Sequence, residues 1–148
     1  MSPRFDGCTF SNLTWGVDDT QSSGSKSAEL EVNECRFVAN SEGLYLSRNV
    51  SKVKGSIFER NARSITENQG TFIGEGLTFR SNSLTLHLSS ATTSLRRCTF
   101  VGNVAPVNDL TGVKVYGGSL RLADSLFAGN VSQNGPTGIT LASGGTAS

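Results

Sequence analysis

Phe37-Val38-Ala39-Asn40, Phe58-Glu59-Arg60-Asn61, Phe79-Arg80-Ser81-Asn82, Phe100-Val101-Gly102-Asn103 and Phe127-Ala128-Gly129-Asn130 are five copies of one pattern, Phe-x-x-Asn. Phe10-Ser11-Asn12 reads as a shortened copy with one residue missing. The phenylalanines fall at 10, 37, 58, 79, 100 and 127, so the steps between them are 27, 21, 21, 21 and 27. Self-similarity at a fixed period of this size marks a stacked-repeat architecture.

Neighbouring columns keep the same register. Two residues before each Phe stand Cys8, Cys35, Ser56, Leu77, Cys98 and Ser125; five before stand Phe5, Val32, Val53, Gly74, Leu95 and Leu122. Seven after stand Val17, Leu44, Ile65 and Leu86, and Val113 continues that row once an insertion is allowed. Between the columns the chain alternates with period two, as in Leu84-Thr85-Leu86-His87-Leu88, which is the pattern of strands with one buried face. No stretch carries a helical stripe.

A period near 21 with about three short strands fits one coil of a parallel β-helix. One coil cannot bury its own apolar side, so coils stack at about 4.8 Å and share backbone hydrogen bonds. The expected fold is all-β: a single-stranded right-handed parallel β-helix of six to seven coils, forming one domain over residues 1–148. Left-handed β-helices run on hexapeptides, and parallel crossovers favour the right hand. Phe37, Phe58, Phe79, Phe100 and Phe127 then stack inside. Asn40, Asn61, Asn82, Asn103 and Asn130 sit at a turn, where an Asn amide can bond its neighbours above and below and the backbone tolerates left-handed angles. The longer steps are explained by polar loop insertions at 18–28, 104–110 and 131–137, the last two leaving the same corner in consecutive coils as a wall.

The Phe-x-x-Asn copies, with Gly117-Gly118-Ser119-Leu120 just before Phe127-Ala128-Gly129-Asn130, resemble the repeats of polymorphic outer-membrane proteins of bacterial surfaces. More broadly, the Cys98-to-Asn103 stretch is similar to pectate-lyase-like β-helices of secreted proteins. The resemblance spans nearly the whole chain. It implies a β-helix; for function it implies a range from adhesins and passenger domains to sugar-active enzymes.

Bulk properties exclude other classes. Thirteen basic and 12 acidic residues leave a formal net charge of +1, which gives no reason to expect nucleic acid or an anionic membrane as partner. No apolar run reaches the length of a membrane helix, so this segment is not expected to insert in a membrane. The N-terminus has no charged-then-apolar export signal. The chain is therefore expected to be part of a longer cell-surface or extracellular protein, and on its own, with its terminal coils uncapped, either to be marginally folded or to self-associate end to end.

Catalytic chemistry has thin support. Hydrolysis by paired carboxylates needs a fixed separation across the bond, whereas Asp18-Asp19 and Asp109 fall in expected loops and Asp124 lies far from them in coil position. There is no Gly-His-Gly element of the kind that the resemblance associates with sugar-cleaving members. His87, the sole histidine, faces outward and cannot build a zinc site alone. Cys8, Cys35 and Cys98 share one inward column; buried free thiols are the favoured state, with a Cys8–Cys35 bond as the alternative, and Cys98 must be unpaired. Three sequons, at Asn12, Asn49 and Asn130, are within chance for this composition. No catalytic residue, metal or cofactor is assigned.

The outward row one step beyond Leu44, Ile65 and Leu86 reads Asp18, Tyr45, Thr66, His87 and Lys114. Together with Asp109 and Asn134 in the loop wall, Tyr45, Thr66, His87 and Lys114 are the candidate binding residues for a polysaccharide or a surface protein; an ordinary solvated face is the default for such a row. The expected function is a non-catalytic display, adhesion or binding module. The alternatives are a piece of a polysaccharide-processing lyase or hydrolase, and a purely structural or engineered solenoid.

Overall fold

In a computed structural model the chain is described over residues 2–20, 29–105, 112–132, 138–142 and 144–148, with the side chain of Ala142 excepted. Strands make up 67% of the described residues. They run in three families, one for each side of every turn of the chain, an arrangement compatible with a β-solenoid.

The first family holds β1 (Arg4–Asp6), β4 (Glu29–Asn33), β7 (Val50–Lys54) and β10 (Thr71–Glu75). The second holds β2 (Thr9–Ser11), β5 (Arg36–Val38), β8 (Ile57–Glu59), β11 (Thr78–Arg80), β13 (Thr99–Val101) and β15 (Leu126–Ala128). The third holds β3 (Trp15–Thr20), β6 (Glu42–Ser47), β9 (Arg63–Asn68) and β16 (Ile139–Ala142). Two long strands, β12 (Leu84–Arg96) and β14 (Val113–Ala123), run through the corner from the third family into the first, joining the two in one curled sheet; β17 (Thr146–Ala147) pairs with the far half of β14. Every strand pairing among the described residues is parallel, and paired residues are 21 or 27 apart, except between β14 and β16, where they are 26 apart.

This register places the expected columns in line. Phe10, Phe37, Phe58, Phe79, Phe100 and Phe127 are consecutive partners across the second sheet. Their ring centroids lie 4.3 to 5.1 Å apart, with neighbouring planes within 16° of parallel. Phe37, Phe58, Phe79 and Phe100 have no exposed surface. The rings bury large apolar areas and add roughly 0.5–1.5 kcal/mol per pair beyond burial. Leu30, Val32, Leu44, Leu46, Ile65, Leu86, Leu88, Val113 and Val115 complete the core from the other two families. Gly43 lets the wall approach the stack: a Cβ there would lie 2.6 Å from the Ser64 carbonyl oxygen and 3.1 Å from the Phe58 ring.

The Asn column is a ladder, with a different division of labour from the expected one. The residue in the left-handed region is the one before each Asn: Ala39, Arg60, Ser81, Gly102 and Gly129, with φ from 54° to 59°. The Asn itself does not need left-handed backbone, because its side chain turns inward and secures the corner. Asn82 Nδ2 donates to the Phe58 carbonyl (2.9 Å), and Asn82 Oδ1 accepts the Asn61 backbone N–H (2.8 Å). The same pair of bonds recurs for Asn61 and Asn103.

Nothing is missing from the first copy either. Asn12 (φ 56°) occupies the left-handed position, and Leu13 stands where later coils have Asn, its N–H donating to Asn40 Oδ1 (3.0 Å).

The insertion boundaries also shift. Asp18–Thr20 belong to β3, paired with Tyr45–Ser47, so the polar run deceived by composition: Asp18 points out, while Asp19 falls in the inward row of Leu46 and is bonded by Asn49 Nδ2 (2.8 Å). Val104 and Val131 form a parallel bridge, and the Ala105 N–H donates to the Val131 carbonyl (3.1 Å). The two later insertions thus do leave adjacent coils at one corner. Residues 21–28, 106–111 and 133–137 lie outside the described residues, and with them Asp109 and Asn134.

Candidate binding face

The third strand family positions the candidate row. Asp18 pairs with Tyr45, Tyr45 with Thr66, Thr66 with His87, His87 with Lys114, and Lys114 with Thr140. Each residue lies between two inward-facing ones, as Tyr45 lies between buried Leu44 and Leu46, so strand alternation alone turns it outward. The row therefore presents one side chain per strand, at about 4.8 Å intervals.

The four candidates are not equivalent. Tyr45, His87 and Lys114 are half-buried. His87, expected as a solvated side chain, stacks on Tyr116 from the next coil, with centroids 5.1 Å apart and planes at 27°. Thr66 is buried: its hydroxyl donates to Glu42 Oε1 (3.0 Å) and so supports the face from below.

Glu42 is the centre of an arrangement that the sequence did not reveal. It stands in register between Trp15 and Arg63, and only 6% of it is exposed. The indole Nε1–H of Trp15 donates to Oε2 (3.2 Å), and Arg63 Nη1 donates to Oε1 (2.9 Å), which also receives the Thr66 hydroxyl. Both carboxylate oxygens are thus engaged, and the pair with Arg63 cancels its charge. Trp15, the only tryptophan, remains 51% exposed although its polar edge is tied down. Trp15, Glu42 and Arg63 line a cleft of about 500 Å³ whose rim carries Thr14, Ser41 and Ser83. A signal existed in the equal spacing of Trp15, Glu42 and Arg63, each two residues before the Val17/Leu44/Ile65 row, but three residues of different chemical type in one column do not announce themselves as a set.

Two other groups of polar side chains explain themselves without a ligand. The first strand family carries a shallow groove of about 620 Å³, walled by Arg4, Asp6, Glu31, Lys52, Lys54 and Glu75. Its charges answer one another: Arg4 bonds Asp6 (2.7 Å) and approaches Glu31 (3.4 Å), and Lys52 pairs with Glu29. On the second sheet Glu59 lies among Arg80, Arg36 and Arg60, and the Arg80 hydrogen bond is the main cause holding its carboxyl below the usual range.

The cysteines are free. Their column is a second backbone ladder: the Cys8 N–H donates to Cys35 Sγ (3.4 Å), and the Cys35 N–H to Ser56 Oγ (3.1 Å). Burial pushes the Cys35 and Cys98 thiols up, away from the reactive thiolate form. Among the described residues no group of three or more His, Cys, Asp or Glu is placed to hold a metal ion.

Glu67 is the one buried carboxyl group in the apolar row of Leu46, Leu88 and Val115. It has no exposed surface, and neither oxygen has a hydrogen-bond partner. It fills the room that Gly70 leaves, where a Cβ would sit 2.2 Å from Glu67 Oε1. Burial, and secondarily Asp19, pushes its carboxyl up to about 8. It is shut off from the outer face and belongs to the core.

No family model matches the chain, and comparison with curated proteins and with solved structures found no match.

Proposed function

We propose that this chain is a right-handed parallel β-helix serving as a non-catalytic binding and display module at a cell surface or outside the cell, with the outer side of β3, β6, β9, β12 and β14 as its ligand face. The observation that carries this reading is the in-register row Asp18–Tyr45–Thr66–His87–Lys114, in which Asp18, Tyr45, His87 and Lys114 reach the surface and Thr66 lies buried between its neighbours, flanked by half-exposed Trp15. A straight row of mixed polar and aromatic groups on a rigid sheet suits an extended polymer, which meets side chains from successive coils without reshaping the protein. Right-handed winding follows from the strong preference of parallel crossovers for that hand.

A lyase or hydrolase piece is the less favoured reading, because Asp18 is the one exposed carboxylate of the described row, while Glu42 beside it is bonded through both oxygens and Glu67 behind it is enclosed, so no second open carboxylate faces Asp18 from that pair. The deciding experiment is retention of the protein in gels containing a panel of neutral and acidic polysaccharides, run beside reducing-end and unsaturated-product assays. Retention without product, lost in a Tyr45→Ala/His87→Ala double variant, is the expected result. Release of product would favour the enzyme, and absence of any retention would leave only the scaffold role.

A further inference from the structure

We infer that the Trp15–Glu42–Arg63 cleft is a subsite for a neutral hexose unit of a polysaccharide, Trp15 acting as the stacking platform and the hydroxyl rim as hydrogen-bonding partners. The inference rests on the binding-module reading above and names its ligand class.

Three observations select a neutral sugar. First, the cleft has no net charge to offer, since Glu42 and Arg63 are bonded to each other at 2.9 Å. An anionic sugar would have to draw Arg63 away and leave a carboxylate that is 6% exposed without its cation. Stripping a buried charge of its partner is unfavourable by far more than an exposed ion pair returns. Second, a cation or an additional donor finds Glu42 already occupied, Oε1 by Arg63 and Thr66 and Oε2 by Trp15. Third, what remains open is a half-exposed indole beside Thr14, Ser41 and Ser83. An apolar plane bordered by hydroxyl groups matches a pyranose, which has a C–H face and a polar perimeter, and does not match an apolar ligand.

The indole is also prepared in advance. Its N–H bond to Glu42 (3.2 Å) restrains the ring before a ligand arrives, so less side-chain freedom is lost on binding. Glu42 is thus a positioning residue, tied from the other side by Arg63 and by Thr66 from the next coil.

Because Trp15 is the sole tryptophan, its fluorescence reports on this cleft directly. Intact protein is titrated with hexasaccharides of neutral hexoses (gluco-, manno- and galacto-configured) and with hexagalacturonate, following emission and, separately, heat of binding. A saturable emission change with at least one neutral hexasaccharide is expected, with hexagalacturonate at least ten-fold weaker. Trp15→Ala should weaken the same neutral ligand at least ten-fold with its melting curve preserved, and Glu42→Gln should weaken it while Trp15 emission shifts even without ligand. Hexagalacturonate binding as tightly as the neutral sugars, or heat of binding that survives Trp15→Ala, overturns this subsite and leaves the binding-module reading standing. Absence of heat with every saccharide, joined to absence of retention by any polysaccharide, overturns both.

Discussion

Asn61 gives both of its nitrogen donors to one atom of Asn82: its backbone N–H and its side-chain Nδ2 reach Asn82 Oδ1 at 2.8 and 3.1 Å. Asn82 in turn sends its own Nδ2 back to the Phe58 carbonyl of the coil from which Asn61 comes. Each Asn therefore reaches toward the preceding coil and closes a corner that the strand ladders leave open. Backbone groups buried at a turn need such partners, since each one left unsatisfied costs about 1–3 kcal/mol.

Replacing Asn61 by Ala removes the acceptor of the Asn40 N–H and the donor to the Phe37 carbonyl. Two buried groups lose partners, each at about 1–3 kcal/mol, and the melting temperature should fall by about 2–4 °C for each kcal/mol in a chain of this size. Glycan retention by the outer face should not change, because Asn61 is 1% exposed. Loss of retention with an unchanged melting curve would show that the ladder is a binding element after all.

Phe79→Ala should be among the most damaging substitutions, by roughly 3–5 kcal/mol. Its ring lies between Phe58 (5.1 Å) and Phe100 (4.8 Å) and has no exposed surface. Phe127→Ala, at a half-buried position with one described ring neighbour, should cost less. Chemical denaturation of both variants checks the order; equal losses would mean that ring stacking adds nothing to the burial of each Phe.

The phenylalanine stack was legible because one residue type recurs at one spacing, and equal spacing in sequence becomes superposition in a stacked fold. The corner chemistry was legible only in part. Asn recurs and could be recognised, whereas the left-handed position before it is filled by Asn12, Ala39, Arg60, Ser81, Gly102 and Gly129, which share no property that a sequence displays. Asp19 misled because a polar residue in an inward row looks like a break in the strand, and only the packing reveals Asn49 bonding it; Glu67, in the same row, is housed by the room that Gly70 leaves. Trp15, Glu42 and Arg63 escaped because a platform, a carboxylate and a guanidinium form a set only once the coils are stacked.

Thiol reagents supply a test of the inward Cys column. Burial raises the Cys35 and Cys98 thiols and leaves them with 0% and 1% exposure. An aromatic disulfide reagent at pH 8 should therefore label both only on the timescale of unfolding, with half-exposed Cys8 reacting first. Prompt labelling of three thiols per chain in native buffer would contradict the inward column.

Glu67 should make the protein more stable in mild acid than at neutral pH. In the unfolded chain its carboxyl ionises near the ordinary 4.5, and in the folded chain near 8. Between those values the native state holds a proton that the unfolded state has released, so stability falls as pH rises, by about 1.4 kcal/mol per unit where the difference is complete. The contribution is fully present below 4.5, declines through the neutral range and is flat above 8. Asp6, Glu59 and Glu75 act in a separate window: hydrogen bonds from arginines hold their carboxyls below the usual range, so their smaller contribution is lost only as pH falls below about 4. Glu67→Gln keeps the shape and stays neutral at every pH, so its melting temperature should lose most of the decline between pH 5 and 8 and exceed that of the parent at pH 8. Parallel melting curves for parent and variant across that range would show that Glu67 is ionised in the folded chain and that its cavity admits water or a counter-charge.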